Sequence, residues 1–253
     1  MKKTENLKNS MGGGGYSDRH LGSHKLTPLP FAFTLAEVLI TLGVIGVVAA
    51  LTLPTLVQSY KKKVVETRMA KFYTTFNEAI KLSEAVNGNF MDWEFPVNPD
   101  EATAHAWFDK YFKPYIKFLK TDMLPTSNGG YRNVVWLPDG SLVVISSISW
   151  FFFPNAKDYT ATCNNEPTNC YPKTSDGGKT WFTFRFNPID ARYDTHYKKG
   201  LEPWCYHSSP DEDYLINDTV QGCNTTSPNE HALCAKLIQL NGWKIPDNYP
   251  FKF

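Results

Sequence analysis

The chain has 253 residues, a net charge of +1 and a mean hydropathy of −0.36, which allows one or two domains and makes most of it water-soluble in character. Residues 1–32 carry Lys2, Lys3, Lys8, Arg19 and Lys25 against Glu5 and Asp18, a net +3; the other 21 basic and 23 acidic residues leave −2 on the remainder. A slightly acidic body gives no electrostatic reason to expect nucleic acid as a partner, and 15% aromatic residues between Gly, Pro and Asn favour β-structure over a helical bundle.

Residues 1–32 are polar and basic, with four glycines at 12–15 and no periodicity, and read as a leader rather than a folded unit. The longest apolar run follows, from Phe33 to Val57. Residues 38–60 hold no charge, and these 23 residues are enough to span a bilayer as a helix. An ordinary secretory signal places its small-residue cleavage site after a shorter apolar stretch. Here the small residue, Ala32, precedes the run, so a cut there would leave the apolar segment on the mature chain. Glu37 lies four residues into the run, where a carboxylate costs about 2.5–3.5 kcal/mol at full depth and less near the interface. It calls for a partner.

The string Ala32-Phe33-Thr34-Leu35-Ala36-Glu37-Val38-Leu39-Ile40 resembles the processing site of type IV pilins and type II secretion pseudopilins. In that family a membrane peptidase cuts just before the Phe and N-methylates it. The residue before the cut is usually Gly; here it is Ala32. The family's Glu is the fifth residue of the mature chain and its helix-kinking Pro the twenty-second, the places of Glu37 and Pro54 when Phe33 is the first. The resemblance implies a leader at 1–32, a membrane and polymerisation half-helix at 33–60, an amphipathic half-helix at 61–86 and an extracytoplasmic α+β domain at 87–253. That domain would be pilin-like: a long helix on an antiparallel sheet, with a disulfide-containing C-terminal region. The implied partners are other subunits of the same kind, the prepilin peptidase and an assembly platform in the membrane. The partner for Glu37 would be the Phe33 amine of a neighbouring subunit, a pair that relieves two burial costs and fixes register.

Gly43, Gly46, Ala49 and Ala50 present small surfaces that admit close helix approach. Pro54 removes a helical hydrogen bond, which a membrane helix tolerates. Lys61, Lys62 and Lys63 follow the run directly and argue for a cytoplasmic location of that end. The leader is also positive but spreads its +3 over 32 residues, so charge alone leaves the orientation open; the cysteines, all in the C-terminal part, want an oxidising compartment, so the leader is placed inside. Val65, Met69, Phe72, Phe76, Ala79, Ile80 and Val86 recur at helical spacing, with Lys62, Lys63, Glu66, Lys71, Glu78, Lys81 and Glu84 mostly elsewhere. One helix over 34–86 would be roughly 80 Å long, its second half needing a sheet to cover the Phe72/Phe76/Ile80 stripe. Asn87-Gly88-Asn89 ends it, with Gly88 as the left-handed cap.

Residues 101–120 predict a second helix that ends before Pro114 and a short helical continuation beyond it, with Trp107, Phe108, Tyr111, Phe112, Tyr115, Ile116 and Leu119 facing a core. Residues 131–137 and 141–148 predict a hairpin around Pro138-Asp139-Gly140. Trp150-Phe151-Phe152-Phe153 reads as a buried strand end, with an exposed contact patch as the alternative. Residues 180–186 predict a strand and 230–240 a short helix with Ala232, Leu233, Leu237 and Leu240 on one side, stopped by Asn241-Gly242. The tail from Trp243 to Phe253 is expected along the sheet.

Cys163, Cys170, Cys205, Cys223 and Cys234 cluster as in an exported, disulfide-bonded domain. Two bridges and one leftover thiol allow 15 connectivities. The preferred set is Cys163–Cys170 plus one bridge among Cys205, Cys223 and Cys234. A zinc set from Cys205, His207, Cys223, His231 and Cys234 has the wrong spacing for paired motifs. Asp211, Asp213 and Asp218 are calcium candidates, as in the C-terminal loop of some pseudopilins, without an EF-hand pattern; a solvated acidic loop is the preferred reading, and no cofactor is expected. No metalloprotease, nucleophile-elbow, P-loop or dinucleotide signature occurs, so the expectation is no enzyme. The expected function is a structural subunit of a type IV pilus or type II secretion filament, and 221 mature residues suit a minor or specialised one. The alternatives are a membrane-anchored adhesin or ligand-binding tip subunit, or a DNA-uptake pilus component.

Overall fold

A computed structural model describes residues 33–126, 128–146, 148–159, 162–163, 170–172 and 174–253, of which 162–163 and 170–171 are described in backbone only. The chain divides after Val48 into two compact units. Helix α1 (Leu35–Asn87) is 53 residues long and includes Pro54. Its start is set by Thr34 and its end by Gly88, whose φ of +81° is the left-handed geometry that closes a helix without a Cβ penalty. The expected bounds of 34–86 fall within one residue of it.

Along α1, Val65, Met69, Phe72, Phe76, Ala79 and Ile80 are buried, as their spacing predicts. Two positions differ. Val86 is 73% exposed, because the helix ends there beyond the sheet's cover, and Glu66, placed on the solvent side by its charge, is buried. Helix α2 (Glu101–Tyr111) is capped by Asp100, whose carboxylate accepts the Thr103 amide at 2.7 Å. Beyond it the chain turns through Phe112–Tyr115 instead of resuming a helix. Leu119 is exposed, since residue 120 already belongs to a strand.

Eight strands follow among the described residues: β1 (Lys120–Pro125), β2 (Tyr131–Trp136), β3 (Leu142–Ile145), β4 (Ser149–Phe153), β5 (Thr162–Cys163), β6 (Cys170–Tyr171), β7 (Phe182–Arg185) and β8 (Glu202–Pro203). Six of them form an antiparallel sheet in the order β1-β2-β3-β4-β7-β8, and β5-β6 form a separate ribbon. The predicted hairpin is β2-β3, with Gly140 at φ +83° in the turn and Asp139 accepting the Ser141 amide. β1, an edge strand ending in Pro125, carries no clear alternation and escapes sequence reading.

The sheet is buried on both faces. Alternate residues of β4 serve two clusters. Trp150 and Phe152 join α1 in the main core, while Phe151 and Phe153 join Leu124, Val134, Leu142, Val144 and Trp181 behind it. The dense aromatic run is thus core on both sides. Phe72 stacks on Phe152 at 4.3 Å and Phe76 meets Trp150 edge-on at 5.3 Å. Each fully buried aromatic removes apolar area worth about 1.5–3 kcal/mol, which is why the second half of α1 is stable on this sheet.

Two short helices, α3 (Glu212–Asn217) and α4 (Cys234–Leu240), complete the domain. α4 starts four residues later than predicted, after His231 at φ +50°, and Leu240 is half exposed, not on the buried side. The tail also departs from expectation. It returns to α1: the Trp243 ring lies 4.9 Å from Tyr73, Glu66 Oε1 accepts the Ile245 amide at 3.1 Å, and Glu66 Oε2 accepts from Lys244 Nζ at 3.3 Å. Strand pairing has no part in it.

Candidate functional site

The sequence singles out the start of α1, and there the structure adds a local role for Glu37. Thr34 Oγ1 accepts the Glu37 amide at 3.2 Å, while Glu37 Oε2 accepts the Thr34 amide at 2.8 Å and its hydroxyl at 2.9 Å. This reciprocal arrangement is a capping box, and it satisfies amides that the first helical turn leaves orphaned. Sequence reasoning missed it, although Thr34-x-x-Glu37 before an apolar run is its signature. Both bonds use Oε2. A carboxylate has about four acceptor sites, so Oε1 stays open to a further donor among the described residues. Ala32 and the rest of the leader lie outside the described residues. Phe33 is 85% exposed.

From Phe33 to Tyr60 every residue is exposed except the half-buried Ala49. α1 is long and apolar enough to cross a membrane. Side chains such as Leu39, Ile40, Ile45, Leu51 and Leu56 each expose more than half their surface. An apolar patch of this size marks a surface meant to be covered. Gly43 and Gly46 have nothing within 4 Å of where a Cβ would stand, so their smallness is not used inside the chain.

The cysteines are resolved in part. Cys223 and Cys234 form a disulfide across 11 residues, joining the loop after α3 to the first residue of α4. Cys205 is the free thiol among the described residues: buried, donating to the His207 carbonyl at 3.4 Å, its pKa raised by that burial. Cys163 stands opposite Cys170 in the β5-β6 register; their side chains lie outside the described residues. The bridge removes Cys223 and Cys234 from any zinc set.

The three calcium candidates each have a structural occupation. Asp211 caps α3 by accepting the Tyr214 amide at 2.8 Å, and Asp213 accepts from Asn217 at 2.8 Å. Asp218 accepts the Gln221 and Val220 amides at 2.7 and 3.0 Å and the Tyr206 hydroxyl at 3.0 Å. Burial would raise the Asp218 carboxyl, but those amides more than offset it and hold it below the usual range. No group of three metal-ligating side chains gathers among the described residues.

No curated protein and no solved structure matches the chain. Residues 55–253 match the model of a family of unknown function, DUF6613, and the chain belongs to that family.

Proposed function

We propose that the chain is a structural subunit, pilin or pseudopilin, of an extracytoplasmic filament of the type IV pilus or type II secretion kind. Cleaved between Ala32 and Phe33, it waits in the membrane through residues 33–60 and then polymerises through that same helix. The observation that carries this reading is the pairing of Phe33 and Glu37, at the family's spacing, with an apolar helical surface left exposed from Leu35 to Tyr60. Lipid covers that surface before assembly and neighbouring helices cover it afterwards. The open Oε1 of Glu37 is where a neighbour's Phe33 amine would bind. The family match begins at residue 55, so membership speaks for the globular part and the processing motif lies outside it.

The capping box dictates the experiment. Glu37→Ala removes both the charge and the cap, so its failure would be ambiguous. Gln also serves at this position of a capping box, so Glu37→Gln keeps the cap and removes only the charge. Expected is a mature chain beginning with N-methyl-Phe33 and loss of filament incorporation in E37Q. Normal incorporation of E37Q would sink the charge pair, and a mature chain still beginning at Met1 would sink the processing.

A further inference from the structure

At the foot of the globular part lies a recess of about 740 Å³ that neither the fold nor the proposed polymerisation uses. Its walls come from the start of the soluble half of α1, the β2-β3 turn, the segment after β4 and the segment before β7. Four cations line it: Lys61, Arg68, Lys157 and Lys179. One carboxylate side chain, Asp158, opposes them. Even counting a carboxylate at Phe253, which also lines the recess, cations outnumber anions two to one. Nearby acids are taken elsewhere: Asp139 pairs with Lys71 at 3.1 Å and Asp247 with Lys62 at 3.5 Å. Arg68 is half-buried and held by Nη1 donating to the Pro154 carbonyl at 2.5 Å, and no salt bridge engages it among the described residues. A guanidinium fixed by a neutral acceptor and left without a counter-ion is preorganised for an oxyanion, phosphate above all.

Covalent continuity says which phosphate. Tyr60 is the last residue of the uncharged run and also lines the recess, and Lys61 is the next residue. Tyr and Lys at the end of an apolar span sit at the headgroup level. We propose that this recess docks the phosphate headgroup of an anionic phospholipid, holding the globular part against the bilayer surface before assembly. The inference rests on the membrane-held stage of the function proposed above and not on polymerisation.

The test reconstitutes the full chain into vesicles of phosphatidylcholine, with and without phosphatidylglycerol. Acetylation of individual lysines is then read by mass spectrometry. Lys157 and Lys179 should be protected only where phosphatidylglycerol is present, and raised salt should remove the protection. Lys81 and Lys117, exposed and outside the recess, should not change. In K157Q/K179Q, protection of Lys61 should fall by roughly fivefold per cation removed, with the Cys223–Cys234 bridge intact as the sign of a folded domain. Equal acetylation in both vesicles overturns the proposal. Protection by inorganic phosphate in phosphatidylcholine vesicles overturns the lipid assignment in favour of a soluble anion. A chain that fails to float with either vesicle overturns the membrane-held stage itself, and this inference with it.

Discussion

At Thr34 and Glu37 the side chains close the first turn of α1 on themselves, so the carboxylate serves its own helix. The charge of Glu37 stands out in the sequence; its cap did not, because an apolar run draws attention to the burial cost of a carboxylate rather than to its short-range geometry. A second residue acts only through the fold. His196 is 1% exposed, its Nδ1 is 2.8 Å from Thr195 Oγ1, and the Thr195 hydroxyl donates to the Cys205 carbonyl. Burial first, and the Arg185 guanidinium second, push its pKa down to about 4. Above pH 6.5 the ring is neutral in folded and unfolded chains alike. Between 6.5 and 4 the unfolded ring takes a proton that the folded ring refuses, so stability falls as pH falls through that window. The loss should approach about 3 kcal/mol below pH 4. Urea midpoints at pH 7 and pH 4.5 read it, and His196→Gln should flatten the slope. An unchanged slope in that variant would place the acid sensitivity elsewhere.

Among the elements, α1 and the β2-β3 hairpin were legible because each carries a local signal: an apolar run, a 3.6-residue stripe, a Pro-Asp-Gly turn. β4 and β7 were legible as strands but not in their facing. Cover on both sides of the sheet erases the alternation that would distinguish one face from the other. The tail was misplaced because its anchor, Glu66, lies 179 residues from Ile245 in the chain, and nothing local marks a charged residue as buried. Between β6 and β7, Gly177 is required by a close approach. A Cβ there would stand 1.9 Å from the Glu230 carbonyl oxygen, a backbone atom that cannot swing aside. Gly177→Ala should therefore destabilise by about 1–3 kcal/mol or more, seen as a lower urea midpoint. The Cys223–Cys234 bridge closes a short loop, and Cys234→Ser should cost about 3 kcal/mol. If the midpoint does not move, the bridge adds nothing to the domain's stability.

For the whole molecule, the core begins at Val65, and among the described residues no buried apolar side chain precedes it. The apolar stretch before it contributes nothing to that core. The fragment 55–253 should then fold without membrane, keep the Cys223–Cys234 bridge, and leave Cys205 unreactive toward alkylating reagents until denatured. Circular dichroism and mass-mapped alkylation check this. A fragment that is unfolded, or whose Cys205 labels at once, would mean that the preceding helix is part of the folding unit. The family match, over residues 55–253, takes in the whole of that core.

The sequence by itself determined the properties that are local: an uncharged run long enough for a bilayer, a single carboxylate near its start, a helix with an aromatic stripe, and an α+β body that holds all five cysteines. Hydrophobic periodicity and spacing need no distant partner to be read. Only the tertiary structure decided that Cys205 is free while Cys223 pairs with Cys234, which carboxylate is buried, where the tail returns, and that four cations from separate segments meet around one recess at the end of the apolar run. These depend on contacts between residues far apart in the chain. Their energy comes from burial and from satisfying polar groups that burial would otherwise leave unpaired.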